Sequence, residues 1–319
     1  MTTAQRPIEI GLNAAIVAVA ERQPLILVVN SDTLPFGPFD PLAHRTFEAG
    51  LRAWVAEQTA LRLGYAEQLY TFGDRGRHAS PGDVGPHLVS VGYLALVHID
   101  EEPSQDLAAA GASWRRWYDF FPWEDWREGR PPILNDHLLP TLRRWAERPK
   151  AADEAQPLSR KSRIALAFGE DGARWDEERA LDRYELLYEA GIVAESGRDG
   201  RTEPEETLAA AAGLSMRFDH RRILATAISR LRAKLKYRPV VFELMPEEFS
   251  LTELQETVEA IAGRHVHKQN FRRLVEGAAL VEPTGETTRR GRGRPAALFR
   301  FRREVLKERP SPGVRFGVR

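Results

Sequence analysis

The sequence predicts an α+β protein of two units: a strand-and-helix front that forms a mixed sheet, and a compact helix, helix and hairpin unit behind it. Three observations carry this. Apolar, β-branched runs at Ile8 to Ala20, Leu25 to Asn30 and His87 to Val97 have the composition of strands. Phe47, Leu51, Trp54, Val55 and Leu61 recur at three- and four-residue steps, which predicts an amphipathic helix over Ala43 to Leu63 with Gly64 as its stop. Ser250-Leu-Thr-Glu253 has the form of a capping box, and two short helices and an arginine-rich hairpin follow it.

The chain of 319 residues with 42% hydrophobic content can bury a sizeable core in at least one domain. Neither an apolar run long enough to span a bilayer nor a secretory leader is evident, so a soluble cytoplasmic protein is expected, with no membrane partner. The absence of cysteine excludes disulfides, thiolate metal sites and cysteine nucleophiles. Net charge is formally zero, yet it is unevenly spread. From Arg217 onward there are 23 Lys and Arg against 12 Asp and Glu, while the preceding 216 residues hold 23 basic and 34 acidic groups. A basic tail on an acidic front suggests a polyanion-binding module, with a solvated Arg-rich face as the plainer reading.

The elements behind the first helix follow in order. Trp114, Trp117, Trp123, Trp126 and Trp145 cluster in one stretch, which reads as packing of an inserted element or a dimer face before it reads as a base-stacking platform. A helix is expected over Trp175 to Ala190, closed by Gly191, and a short Ala-rich one after Pro204. Asp219 is placed to cap a long helix whose stripe is Ile223, Leu224, Ala227, Ile228, Leu231 and Leu235. A strand at Val240 to Leu244 then leads to the tail unit. The implied domains are 1–215, with an insertion at about 100–175, a connecting helix and strand at 216–248, a helix, helix and hairpin unit at 249–305 and a tail at 306–319.

In the tail unit, Leu251, Leu254, Val258 and Ile261 give the first helix one apolar face up to Gly263. The second helix begins near His267 with Phe271, Leu274 and Val275 inward, so the pair has the helix-turn-helix plan. Lys268, Gln269, Asn270, Arg272 and Arg273 then point outward, side chains suited to phosphates and major-groove base edges. Leu280 to Thr284 and Leu298 to Phe301 read as strands of a wing around Arg289, Arg290, Arg292 and Arg294, whose intervening glycines allow close approach to a groove wall. Between Arg264 and Arg303 there are 11 basic and 3 acidic residues. A winged helix of this charge fits B-form DNA better than the deep, narrow major groove of RNA. A surface for a protein partner is the reading it competes with.

The order of elements over Ile8 to Val97, with Glu67-Gln-Leu-Tyr-Thr-Phe-Gly-Asp74 and Ser90-Val-Gly-Tyr-Leu-Ala-Leu-Val97, resembles the Nudix fold, an α/β/α sandwich. Nudix hydrolases carry G-x5-E-x7-R-E-U-x-E-E-x-G-U, where glutamates on one helix converge on Mg²⁺ beside a pyrophosphate. With Leu61 at the last apolar position, Ala53 falls on the Arg, Trp54 on the first Glu, and Glu57 and Gln58 on the paired glutamates. A register with Gly64 as the glycine places Gln58, Leu61 and Arg62 on the three acids. Neither builds the metal cluster, so no catalytic residue, no metal and no resident cofactor is expected. His265 and His267 sit in the helix-turn-helix turn, a place for capping or phosphate contact. P-loop, nucleophile-elbow and H-E-x-x-H signatures are also absent.

The combination is similar to the NrtR-type, Nudix-related transcriptional regulators and their longer NadQ-like branch. The resemblance runs through Arg217-Phe-Asp-His220, Arg230-Leu-Arg-Ala-Lys-Leu235, Tyr237-Arg-Pro-Val-Val-Phe-Glu-Leu-Met-Pro246, Phe249-Ser-Leu-Thr-Glu-Leu254, Asn270-Phe-Arg-Arg273, Glu282-Pro-Thr-Gly285 and Gly291-Arg-Gly-Arg-Pro295. It implies a homodimeric repressor of NAD biosynthesis genes that binds palindromic operator DNA. Its effector would be an NAD-related nucleotide such as ADP-ribose or NAD. The family's DNA-contact regions fall on the second helix and on Arg292 and Arg294. For the effector, Asp74, Arg75, Arg77 and Tyr93 stand near strand ends, where arginine could pair a pyrophosphate and tyrosine could stack a base. The alternative is an active Nudix-type pyrophosphatase with an accessory basic domain.

Overall fold

The structure is a computed structural model that describes residues 7–74, 85–99, 105–149, 157–288 and 295–305. Its strands are β1 (Ile8–Ala20), β2 (Gln23–Val29), β3 (Phe36–Pro38), β4 (Tyr65–Phe72), β5 (His87–Leu96), β6 (Ala112–Arg116), β7 (Phe249–Ser250), β8 (Val281–Thr288) and β9 (Ala296–Phe301). The helices are α1 (Phe47–Thr59), α2 (Gln105–Ala109), α3 (Leu139–Glu147), α4 (Arg160–Phe168), α5 (Ala180–Glu189), α6 (Ala194–Arg198), α7 (Glu206–Ala211), α8 (His220–Leu235), α9 (Leu251–Ala262) and α10 (Lys268–Gly277).

The front sheet runs β4-β5-β1-β2-β6, with β3 also paired to β1. β1 and β5 are parallel, with Leu12 opposite Val91 and Ala14 opposite Tyr93, and the other pairs are antiparallel. Because side chains alternate along a strand, the 13 residues of β1 serve two cores. Leu12, Ala14 and Ile16 join α1 through Leu51 and Val55, while Ala15 and Val17 face Ile223, Leu224 and Ile228 of α8. This is an α/β/α sandwich.

Helix α1 starts at Phe47 because Thr46 caps it, its Oγ1 accepting the Ala49 N–H at 3.1 Å. It ends before Gly64, at Ala60, which takes a left-handed conformation with φ 56°. The helix expected over Ala43 to Leu63 is therefore four residues shorter at each end, and Leu61 lies beyond it. The expected Trp175 to Ala190 helix resolves into a 3-10 turn at Glu177–Arg179 followed by α5. Val240–Leu244 is a 3-10 turn rather than a strand. The reason is that Val240, Val241 and Leu244 are buried together, a pattern no alternating strand satisfies, while Phe242 stacks on Phe301 at 4.3 Å.

The Trp-rich stretch is structural. Its first part supplies β6, the edge strand beside β2, and Trp117 and Trp123 are fully buried. Trp145 is 6% exposed, and Trp126 packs on Trp175 with ring centres 4.3 Å apart. One buried cluster takes in these rings, α8, and Leu254, Val258 and Ile261 of α9, so the interior is continuous from the sheet to the tail unit. Helix α8 lies at its centre and is buried on nearly every side, as expected of a helix enclosed by neighbours. Each fully buried Leu or Ile on it contributes about 1.5–3 kcal/mol relative to exposure.

Candidate nucleic-acid interface and nucleotide site

The capping box forms as its spacing requires: Ser250 Oγ accepts the Glu253 N–H at 3.2 Å, and Glu253 accepts the Ser250 N–H at 2.7 Å. Helix α9 then runs to Gly263, whose φ of 72° closes it. The following turn is held from within. Buried Glu259 accepts the Val266 N–H at 3.0 Å and Gln255 Nε2 at 2.8 Å, and pairs with His265 Nδ1 at 2.7 Å. Burial alone would raise the Glu259 carboxyl, but these hydrogen bonds outweigh it and hold the group below its ordinary value. Arg264 pairs with Glu177 at 3.0 Å.

Helix α10 is seated through buried Phe271 and Val275. On its other side Lys268, Gln269, Asn270, Arg272 and Arg273 are all exposed. None of these five side chains forms a hydrogen bond or ion pair with the described residues. The arrangement offers three cations and two amides on one arc, next to the open N-terminal end of a helix. Behind α10, β8 and β9 form an antiparallel hairpin, with β7 joining β9 through Phe249 opposite Phe299. Glu282 and Arg300 pair across it at 2.6 Å. Arg289, Arg290, Arg292 and Arg294 fall in the connection between β8 and β9 and lie outside the described residues.

On α1, Trp54 donates its Nε1–H to the Pro38 carbonyl at 2.9 Å and covers Gly37, where a Cβ would come within 2.3 Å of the indole. Glu57 is exposed. Gln58 bonds the β3 backbone in both directions: its Oε1 accepts the Phe36 N–H at 3.1 Å and its Nε2 donates to the Phe36 carbonyl at 2.7 Å. Ala60, aligned with the glycine of the Nudix motif, holds the left-handed conformation that favours glycine. Among the described residues no three His, Asp or Glu side chains gather as a metal site.

The suggested effector residues are not brought together. Asp74 pairs with Arg222 on the α8 side of the sheet. Tyr93 points the other way into the α1 core and is 4% exposed, with burial first and Glu48 second raising its hydroxyl pKa. A ring so covered offers no face for stacking, which corrects that expectation. Arg75 and Arg77 lie outside the described residues. Asp219 precedes α8 but makes no capping bond; its carboxylate turns to Arg222 at 3.2 Å instead.

Two buried polar groups were not anticipated. His220 Nδ1 accepts the Leu34 N–H at 2.9 Å, which leaves its Nε2–H to donate to Asn13 Oδ1 at 2.9 Å. Arg183 bonds both carboxylate oxygens of Glu124, Nε–H to Oε1 at 2.5 Å and Nη2–H to Oε2 at 2.9 Å, and Arg232 also donates to Oε2, all three residues without solvent exposure beyond 2%. Burial would raise Glu124, yet the two guanidinium groups hold it below its ordinary value. The signal was present: Arg232 follows Leu231 within an apolar stripe, and Glu124 stands among tryptophans.

Residues 241–301 match the model of the NrtR DNA-binding winged helix domain. The ADPR responsive transcriptional repressor NtrR of Acinetobacter baylyi (strain ATCC 33305 / BD413 / ADP1) is 41% identical over 95 residues, 30% of this chain. The chain spans 38% of the length of that curated relative. The crystal structure of Shewanella oneidensis NrtR complexed with a 27mer DNA superposes over 96% of this chain and 98% of that one, with TM-score 0.54 and 20% identity. A second structure of Shewanella oneidensis NrtR covers 93% of this chain and 95% of its own at TM-score 0.52 and 20% identity. Residues 241–301 thus form an NrtR-type DNA-binding winged helix domain, and the chain shares its overall fold with the NrtR structures of Shewanella oneidensis.

Proposed function

We propose that the chain is a repressor of NAD biosynthesis genes that binds double-stranded operator DNA as a homodimer. Its Nudix-like front binds an NAD-related nucleotide, such as ADP-ribose, without hydrolysing it. The observation that carries the DNA half is the exposed, unpaired arc of α10, where Lys268, Arg272 and Arg273 address phosphates and Gln269 and Asn270 address base edges. The arginines at 289, 290, 292 and 294 extend the basic surface in the sequence. The curated relative is described as an ADPR responsive repressor, and the Shewanella NrtR structure contains DNA, which supports the same reading. The helical groove reader fits B-form DNA.

Loss of hydrolysis is supported by Gln58, which stands at a glutamate position of the Nudix motif and is occupied in tying α1 to β3. The carboxylate at Glu57 alone gives a hard divalent cation too few oxygen ligands. Ligand binding would alter DNA affinity by favouring one arrangement of the two winged helices in the dimer, which requires different nucleotide affinities in the two states. The test is fluorescence anisotropy of duplexes from the neighbourhood of the chain's own gene and of NAD biosynthesis genes. It is run at low ionic strength with ADP-ribose, NAD and ATP as titrants. Binding that one titrant shifts, with no release of phosphate products in Mg²⁺, is expected. Indifference to every duplex overturns the DNA half, and magnesium-dependent cleavage of ADP-ribose overturns the sensing half.

A further inference from the structure

We infer that the Trp-rich stretch positions the recognition helix: Tyr118, Trp126 and Arg232 seat the end of α9, and so fix the angle at which α10 meets DNA. This rests on the DNA-binding reading above. The last carbonyls of a helix have no partners within it and must find them elsewhere. In α9 the front unit supplies them. Tyr118 donates its hydroxyl to the Ala260 carbonyl at 2.7 Å, Arg232 donates Nε–H to the Ile261 carbonyl at 2.9 Å, and the Trp126 N–H donates to the Gly263 carbonyl at 2.6 Å.

The fit leaves no slack. A Cβ on Gly263 would lie 2.3 Å from the Glu124 carbonyl oxygen and 2.9 Å from the Tyr118 hydroxyl. The donors are themselves held: Arg232 is locked by Glu124, which Arg183 of α5 holds in turn. Gly263 is followed by the four-residue turn 264–267 and then by Lys268, so a shift at the seat is passed directly to the exposed arc of α10. None of these seating groups lies on that arc. They act on DNA only through the placement of α10, and are positioning residues.

The test compares the wild-type chain with Tyr118→Phe, Gly263→Ala and Arg272→Ala/Arg273→Ala. The probes are a duplex enriched from random sequence on the wild type and a scrambled duplex of equal length. Tyr118→Phe removes one seating bond and adds no atom, and Gly263→Ala forces the seat apart. Each is expected to weaken the enriched duplex by about three- to tenfold, the worth of one hydrogen bond, with the scrambled duplex little changed. The slope of affinity against salt stays at the wild-type value, because the phosphate contacts remain. Hydrogen exchange at amides 261–268 quickens in Tyr118→Phe while the amides of β1 and β5 keep their protection. The arginine double variant weakens both duplexes and flattens the slope.

If the wild type binds no duplex, or the arginine double variant binds as tightly as the wild type, the DNA-binding reading fails and this inference with it. If the arginine variant weakens binding but Tyr118→Phe and Gly263→Ala keep wild-type preference for the enriched duplex, the positioning role alone is overturned. It is also overturned if Tyr118→Phe leaves exchange at 261–268 unchanged.

Discussion

Replacing Glu124 by alanine removes the carboxylate that lies between two buried guanidinium groups. Arg183 and Arg232 would keep their carbonyl contacts, to Ala167 and Asp176 at 2.8 Å for the first and to Ile261 at 2.9 Å for the second. Their charges, however, would lose the group that balances them while remaining buried. Breaking one side of a buried pair costs about 3–5 kcal/mol. The surviving carbonyl contacts place this case near about 3 kcal/mol, which lowers Tm by roughly 4–5 °C for a chain of this size. The assay is urea unfolding followed by tryptophan emission, which Trp117 and Trp123 beside the site should report. The folded Glu124 carboxyl is held below its ordinary value of 4.5. Its contribution is therefore fully present above that value and is lost as pH falls through the lower, folded value. The gap between wild type and Glu124→Ala should be constant near neutrality and shrink in acid. Replacing all three residues by Leu and Met should recover part of the loss, since buried ion pairs are often no better than well-packed apolar groups. A difference below about 0.5 kcal/mol at neutral pH, the usual scatter for exposed sites, would refute the reasoning.

Further predictions follow from the same geometry. Each of Arg272→Ala and Arg273→Ala should reduce the slope of log Kd against log salt by about 0.9 per lost phosphate contact, as read from anisotropy titrations. Gln269→Ala and Asn270→Ala should instead alter base preference by about 1–3 kcal/mol at particular positions, measured by competition among single-base variants; equal effects on every sequence would refute the division. Gln58→Glu should destabilise the chain by about 1–3 kcal/mol in thermal unfolding, because the Phe36 carbonyl loses its donor and gains a repelling oxygen, and Mg²⁺ should not restore the loss. His220→Ala should cost about 2–4 kcal/mol in urea unfolding, leaving the Leu34 N–H and Asn13 Oδ1 buried without their partner; a cost below 1 kcal/mol would show that water replaces the ring.

Much of the architecture was legible because it rests on local rules. The strand at Ile8–Ala20 matches its apolar run, and the Ser250 capping box and Gly263 stop fix α9 from residues that bond to near neighbours. What the sequence concealed depends on partners far along the chain. Val240–Leu244 has strand composition but folds as a turn under Phe301, and while the neighbouring tryptophans signal that Glu124 is buried, nothing local identifies its partners, arginines 59 and 108 residues away. At the interface, period alone separates Phe271 and Val275 from the exposed α10 residues. At the front site it does not help, since alternation along β5 places Tyr93 in the core, on the face opposite Asp74.

The unbroken interior from sheet to winged helix has a consequence for retargeting. A DNA reader tethered by a linker can be exchanged as a cassette, but cutting before Phe249 here would strip the cover from Val258, Ile261 and the carbonyls that Tyr118 and Arg232 occupy. Grafts of the tail onto another domain would inherit a raw flank. New sequence preferences are better sought by altering the outer arc of α10, whose side chains form no hydrogen bond or ion pair with the other described residues.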